Sequence, residues 1–319
     1  MSTTTTELAP VVVLAGGLSH ERDVSLRSGR RVAIALREAG HRVTECDVTA
    51  DLIATITAQP GVVAFPLLHG GVGEDGALRE VLALLGVPFV GSSAASCRLS
   101  FDKSVATPLI RAAGLPTPDQ VALPHDMFRE LGAGTLIRAL GERLGFPMMV
   151  KPARSGSALG ASRVNGIEAL PAAMVGAFAY GTTAVIERFV VGSEVAVTVI
   201  DTPQGRIALP PVEIVPLSGV YDYASRYTAG DTRFITPARL SDDVTRACHD
   251  LAIGVGATLG LRDIYRVDII VDEQGTPTFL EANVAPGMTE TSSAPLAMDA
   301  SGHDLGSVCS ALVQLAASR

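Results

Sequence analysis

The sequence predicts an α/β protein whose N-terminal part is an open parallel sheet wound by helices, and three observations carry that expectation. Short apolar runs alternate with helical patterns through residues 11–90, as in a sheet built from crossover units. The first run, 11–14, ends in Ala15-Gly16-Gly17 and passes into a helical pattern, a strand, glycine turn and helix in succession. Toward the other end, 266–271 alternates with a two-residue period and is followed, after Glu273-Gln274-Gly275, by a second alternating run, as expected of an antiparallel pair.

At 319 residues the chain is too long for one ordinary core, which predicts two or three domains. Apolar residues at 47% and charged residues at 18% fit a compact enzyme rather than a disordered chain. The longest apolar run, 81–90, is broken by Gly86 and Pro88 and is too short to span a bilayer, so no membrane partner is expected. The polar start reads as a frayed tail, neither signal nor anchor. A net charge of -8 without any block of Lys and Arg argues against a nucleic-acid partner. Cys46, Cys97, Cys248 and Cys309 are scattered, without metal or disulfide spacing, which implies reduced thiols and a cytoplasmic setting.

Taken in order, the first helix is expected through Val24, Val32, Leu36 and Ala39, with Gly40 as a left-handed cap. Strands at 42–48, 62–68 and 87–90 and a helix at 76–85 complete the N-terminal sheet. Ligands on such sheets gather at the carboxyl ends of strands, where two loops carry Glu21 and His69-Gly70-Gly71-Val72-Gly73-Glu74-Asp75-Gly76. A lone Glu or His there is also an ordinary cap or surface group. Near Lys103 a further helix begins, ended by Gly114, and 115–118 crosses in extended form, marking a domain boundary.

The run 146–150 reads as a buried strand that delivers Lys151 to a loop of small residues, Arg154-Ser155-Gly156-Ser157-Ala158. Backbone N–H groups and a hydroxyl in such a loop can wrap phosphate with the lysine as a point charge, though a solvated hairpin loop is equally consistent. A strand at 183–189 leads through Val190 into an alternating strand at 194–200, with 187–190 as an inter-domain hinge suited to an adenine. The stretch 218–234 has little periodicity and reads as a lid. Helices at 242–259 and 305–316 are packing elements.

Alternation places Arg266 and Asp268 on one face of the first late strand, and Glu281 and Asn283 on one face of the second. If the strands pair with those faces matched, two carboxylates and an amide oxygen converge, a donor set that suits magnesium. An acidic, solvated hairpin is the plain alternative. The Ala285-Pro286-Gly287-Met288 turn that follows offers backbone N–H groups to a developing anion, with Arg266 as a fixed charge nearby.

Together, Gly16 through Ser25, His69 through Gly76, Asp102-Lys103, Lys151-Pro152 with Gly156-Ser157, Tyr221-Asp222-Tyr223 with Tyr227, and Glu281-Ala282-Asn283 through Thr289 resemble the D-alanine:D-alanine ligases, members of the ATP-grasp superfamily. The resemblance runs from about Gly16 to Pro295, and its blocks occur in the family's order. It implies a three-domain ATP-grasp fold with a Rossmann-like N-terminal domain, divided here at 1–102, 103–187 and 188–319.

The family chemistry implied is attack of one D-alanine carboxylate on ATP, giving a D-alanyl phosphate, followed by attack of a second D-alanine amine, for peptidoglycan precursor synthesis. By this resemblance Lys103 and Lys151 contact phosphates, Glu187, Arg188, Phe189 and Val190 the adenine, and Glu194 the ribose, with Leu280 and Arg226 also on the nucleotide. Asp268, Glu281 and Asn283 hold two magnesium ions, for which manganese can substitute. Glu21 holds the first ammonium, Ser157 and Tyr227 tie the lid to Glu21, and Arg266 with the Gly287 N–H forms an oxyanion hole. Ser292 places the acceptor carboxylate, with His69 and Ser293 on the same substrate side, and a homodimer is implied.

The chain departs from the family pattern where Arg226 replaces the usual lysine, Ala158 the second serine of the phosphate loop, and Thr289-Glu290-Thr291-Ser292-Ser293 a more familiar run. The last change lines the acceptor side, so a related ligase with a different acceptor is the second expectation. A catalytically silent nucleotide binder is a third, and a dinucleotide oxidoreductase rests only on the opening turn, which lacks full G-x-G-x-x-G spacing.

Overall fold

The computed structural model describes residues 8–216 and 231–319. Arg226 and Tyr227, with most of the stretch read as a lid, lie outside the described residues.

The chain opens on β1 (Val11–Leu14), α1 (Arg22–Glu38), β2 (Val43–Cys46), α2 (Leu52–Thr57) and β3 (Val63–Pro66), which form a parallel sheet of order β2-β1-β3. All four β1 side chains are fully buried, as expected of a central strand covered on both faces. α1 ends at Ala39, and Gly40 follows at φ 94°, the positive-φ stop anticipated from its sequence. The strand expected at 87–90 is reduced to a single parallel bridge between Ala64 and Phe89. Pro88 supplies a carbonyl to Ala64 but has no N–H to extend the ladder.

α3 (Ala77–Leu84), α4 (Ala94–Phe101) and α5 (Lys103–Ala112) lead out of this sheet. Two short helices, α2 and α4, were not anticipated. α4 alternates small and polar residues around Cys97 and presents no clear apolar stripe. Cys97, Ala106 and Ile110, from α4 and α5, sit in the core of the last sheet rather than the first.

β4 (Gln120–Pro124), α6 (His125–Leu131), α7 (Ala133–Leu144), β5 (Met148–Pro152), β6 (Ser162–Val164), α8 (Leu170–Phe178) and β7 (Thr183–Arg188) follow. Their strands form an antiparallel sheet of order β4-β7-β5-β6. Leu140 and Leu144 of α7 and Met174 and Ala177 of α8 close its core over Met148, Val150 and Ile186.

The last sheet is made by β8 (Ser193–Thr202), β9 (Gly205–Ala208), β10 (Val212–Pro216) and β11 (Thr232–Ile235), then α9 (Asp242–Leu259), β12 (Ile264–Val271) and β13 (Pro277–Asn283). Its order is β11-β10-β8-β12-β13, with β9 paired to β8. α9 starts where the Ser241 Oγ accepts the Val244 N–H at 3.3 Å and stops at left-handed Gly260, the two ends a helix most needs satisfied. α10 (Ser293–Ala300) and α11 (Leu305–Ala317) close the chain, and Leu312, Val313 and Ala316 of α11 share one core with Val32 and Leu36 of α1. The end of the chain is thereby packed on its beginning. No helix among the described residues is long and apolar enough to cross a membrane, and all four cysteines are free thiols.

α9 lies close on β12 because Gly256 has no side chain. A Cβ there would stand 1.9 Å from the fully buried Tyr265 hydroxyl. Gly256→Ala is therefore expected to cost about 2 kcal/mol through overpacking and to lower the melting temperature seen by calorimetry. An unchanged melting temperature would contradict this packing.

Candidate active site

β12 and β13 pair antiparallel with Arg266 opposite Asn283 and Asp268 opposite Glu281, so the four polar side chains share one face. The alternate residues Val267, Ile269 and Ala282 point into the core below. A register shift directly after Asp268 locally interrupts the ladder, a feature common beside functional sites. The carboxylates on this face are neutralised by cations. Arg266 grips Asp268 with two bonds, Nε to Oδ1 at 2.6 Å and Nη2 to Oδ2 at 2.7 Å. Lys103 Nζ stands 3.1 Å from Glu281 Oε2 and donates to the Ser155 carbonyl at 2.7 Å, joining this face to the small-residue loop. Asn283 Oδ1 accepts the Ala285 N–H at 2.9 Å and shapes the turn into 285–289.

On one side of this face lies a cavity of about 200 Å³. Glu21, His69, Ser157, Arg266, Gly287, Ser292 and Ser293, all anticipated on the substrate side, line it with Glu281 and Asn283. The Ser157 hydroxyl donates to Glu21 Oε1, linking two loops that are 136 residues apart in sequence. Gly70 is required here: at φ 69° it passes Glu21 so closely that a Cβ would meet Oε2 at 2.4 Å. His69 is buried, and both ring nitrogens are committed, Nδ1 to the Ala285 carbonyl at 2.9 Å and Nε2 to the Ser28 hydroxyl at 3.2 Å. Burial pushes its pKa down, against the opposing pull of the Glu21 charge. Ser28 Oγ also accepts the Met288 N–H at 3.0 Å, and Arg31 donates to the Met288 and Thr289 carbonyls at 3.2 and 2.9 Å. Thus α1 fixes the turn that carries Gly287. Ser292 Oγ accepts the Thr289 N–H at 3.1 Å.

On the other side is a cavity of about 560 Å³ between the second and third sheets. Lys151, Glu187, Phe189, Val190, Glu194 and Leu280, the residues expected on a nucleotide, line it together with Asp268, expected on metal. Lys151 Nζ meets Glu187 Oε1 at 2.6 Å, with side chains only 13% and 5% exposed. Removing one partner of such a pair strands a buried charge, at about 3–5 kcal/mol. Arg188 is exposed at the end of β7 and is not among the lining side chains. The two cavities share Lys103, Ser155, Ile214 and Glu281 as a common wall.

Sequence reasoning missed several contributors. Glu74 lines the smaller cavity, and its carboxyl is pushed up to about 8, first by burial and then by the Glu21 charge. It stood inside the glycine-rich run already singled out, without a pattern that marked it. Arg163 lies over the Phe189 ring at 4.3 Å and shares the larger cavity. Arg239 holds the buried Glu213 through Nε at 2.9 Å and Nη2 at 2.6 Å on the same cavity's edge. No periodicity marks either arginine.

The family described as D-ala D-ala ligase C-terminus matches residues 109–314. A D-alanine–D-alanine ligase of Anaeromyxobacter sp. (strain K) is 38% identical over 307 residues, covering 96% of each chain. That of Desulforudis audaxviator is 40% identical over 311 residues, covering 96% of this chain and 98% of its own. Among solved structures, the VanG D-Ala:D-Ser ligase from Enterococcus faecalis superposes with a TM-score of 0.84 at 27% identity, over 97% of this chain and 99% of that one. The D-alanine–D-alanine ligase from Bacillus anthracis complexed with ATP gives 0.79 at 25% identity, over 97% of both. From the matched family and these relatives, the chain belongs to the D-alanine–D-alanine ligase family.

Proposed function

We propose that this protein is an ATP-dependent ligase that joins two D-alanines, through a D-alanyl phosphate, into D-alanyl-D-alanine for peptidoglycan precursor synthesis. The observation that carries this reading is the shared wall: an amino-acid-sized cavity around Glu21 and Ser157 meets a nucleotide-sized cavity at Lys103, Ser155, Ile214 and Glu281. A phosphoryl donor on one side and a carboxylate on the other would react across that wall, which is what acyl-phosphate formation needs.

In this reading the larger cavity takes ATP. The apolar edge at Phe189, Val190 and Leu280 holds the adenine, with the backbone of Glu187 and Arg188 beside it, and Glu194 holds the ribose. Lys103 and Lys151 turn from their present carboxylate partners toward phosphate oxygens, with Arg226 as a further cation on the nucleotide. Glu21 holds the ammonium of the first D-alanine, with Ser157 and Tyr227 as its partners. Arg266 and the Gly287 N–H stabilise the tetrahedral oxyanion, and Ser292 and Ser293 position the acceptor carboxylate. Excluding water protects the acyl phosphate from hydrolysis.

The donor set at Asp268, Glu281 and Asn283 fits a hard cation: it is all oxygen and on one face, and Lys103, the present partner of Glu281, is a side chain that this reading moves to phosphate. These residues would hold two magnesium ions, or manganese in their place, and the metals would offset charge on the transferring phosphoryl group. We further propose a cytoplasmic homodimer and a division into units 1–102, 103–187 and 188–319, with α5 packed on the last sheet. A specific observation also favours a second acceptor reading. Glu290 and Thr291 stand where the family commonly has other residues, and a D-Ala:D-Ser ligase superposes well on this chain.

Three outcomes test the proposal. With magnesium and ATP, phosphate release should appear only when D-alanine is added, with D-alanyl-D-alanine as product; D-alanyl-D-serine as the preferred product in a mixed-acceptor assay would move the assignment to the second reading. Glu21→Gln should lower dipeptide formation by at least about 10³-fold while ATP affinity, read by calorimetric titration, changes little. Chelation should abolish turnover and magnesium restore it, and Asp268→Asn should raise the magnesium concentration needed for half-maximal rate; an unaltered requirement would remove Asp268 from the metal site.

A further inference from the structure

We infer that Glu74 is the group that takes the proton from the acceptor ammonium before its nitrogen attacks the acyl phosphate. The inference rests on the ligase reading above and adds to it a residue and a role. The attacking D-alanine enters the smaller cavity as an ammonium, which has no lone pair, so a base must stand in that cavity. Among the described residues lining it, the candidates are His69, Glu21, Glu281 and Glu74.

Geometry removes three of them. The His69 ring has both nitrogens engaged, by Ala285 and Ser28, and burial disfavours its charged form. Glu21 accepts the Ser157 hydroxyl and is committed to the first ammonium. Glu281 lies on the wall shared with the larger cavity and is placed above among the oxygen donors to the metal ions. Glu74 remains. It directly follows the short turn at Gly71–Gly73, its residue is 8% exposed, and it lines the smaller cavity. The charged and titratable groups acting on it are Glu21 from the loop after β1, Arg266 from β12, Arg79 from α3 and the Cys97 thiol of α4.

This setting suits the step. A carboxylate at its ordinary pKa is too weak a base for an ammonium, whereas burial and the neighbouring Glu21 charge push Glu74 to about 8. An incoming ammonium also supplies the counter-charge that lets Glu74 ionise, and transfer of the proton returns both groups to the neutral forms that a dry cavity favours. The balance is complete. One ammonium proton passes to the Glu74 carboxylate, and the freed nitrogen lone pair forms the bond to the acyl carbon. As the tetrahedral intermediate collapses, the carbon–oxygen bond to phosphate breaks and the departing phosphate takes the second nitrogen-bound proton. Glu74 then releases its proton to solvent as the product leaves.

The test separates the two half-reactions in Glu74→Gln, a near-isosteric change that keeps a hydrogen-bonding side chain. Hydroxylamine, a nucleophile with a free lone pair at neutral pH, traps the acyl phosphate as a hydroxamate without needing the base. The ratio of dipeptide to hydroxamate should fall by about 10²-fold in the variant at pH 7, the range expected for loss of a general base. Wild-type kcat/KM for the acceptor should rise with pH through about 8, and in the variant that rise should shift to the higher pH at which the amine itself ionises. An unchanged ratio, or a variant that keeps the wild-type pH profile, overturns the inference. A variant that fails to fold shows no hydroxamate either, in which case Glu74→Asp is read by the same ratio, and recovery toward the wild-type value supports the role. Absence of hydroxamate from the wild-type protein refutes the ligase reading itself, and the inference with it.

Discussion

The structure depends on keeping a strip of charge stable inside a sheet. Asp268 is almost fully buried on a strand whose other face is core, and such a carboxylate is tolerated only if it is paired. Arg266, two residues along the same strand, meets that need with a bidentate contact. Glu281 on the next strand has its own cation, but Lys103 comes from α5 and simultaneously binds the carbonyl of Ser155. Charge balance on the β12–β13 face therefore draws in the helix before the second sheet and the small-residue loop within it. The wall between the two cavities is a consequence of that neutralisation.

A second set of contacts fixes the substrate side. Ser28 and Arg31 lie on α1, which packs on the first sheet, yet both bind the turn after β13, and His69 reaches the same turn from the loop after β3. The N–H of Gly287 is thus held in a turn braced by two elements of the N-terminal sheet. Such bracing matters for oxyanion stabilisation, because donors that must first be oriented lose most of their electrostatic advantage. It also explains why a chain with three sheets needs α11 packed against α1: any slippage between first and last sheets would carry the turn away from Glu21.

Much of this was legible in the sequence, and the reason lies in periodicity. The two-residue alternation through Arg266, Asp268, Glu281 and Asn283 could specify a shared face, and the observed register matches it. α9 was legible to the residue, since Ser241 and Gly260 bracket a clean apolar stripe. Elements without such a pattern were not. β4, β6, β9 and β11 are strands of three to five residues, too short to display an alternation, and α4 has no apolar stripe. Glu74 escaped assignment for a different reason: its chemistry comes from burial and from the approach of Glu21, both properties of the assembled fold.

The loop that carries Ser157 joins the two cavities. Ser157 and Ala158 adopt φ of 51° and 56°, a left-handed region that costs a side-chain-bearing residue about 1–2 kcal/mol. Two such residues in succession need compensation from outside the loop. Inside the loop, the Leu159 N–H donates to the Gly156 carbonyl and the Ala161 N–H to the Ala158 carbonyl, both at 3.1 Å, and further compensation comes from contacts outside it: Ser157 to Glu21, and Lys103 to Ser155. One contact reaches the smaller cavity and the other the wall that it shares with the larger. The loop's shape is consequently set by both cavities at once, and a change in either contact must be felt by the other through the backbone between residues 155 and 157. This is the physical basis for treating the two cavities as one reaction site.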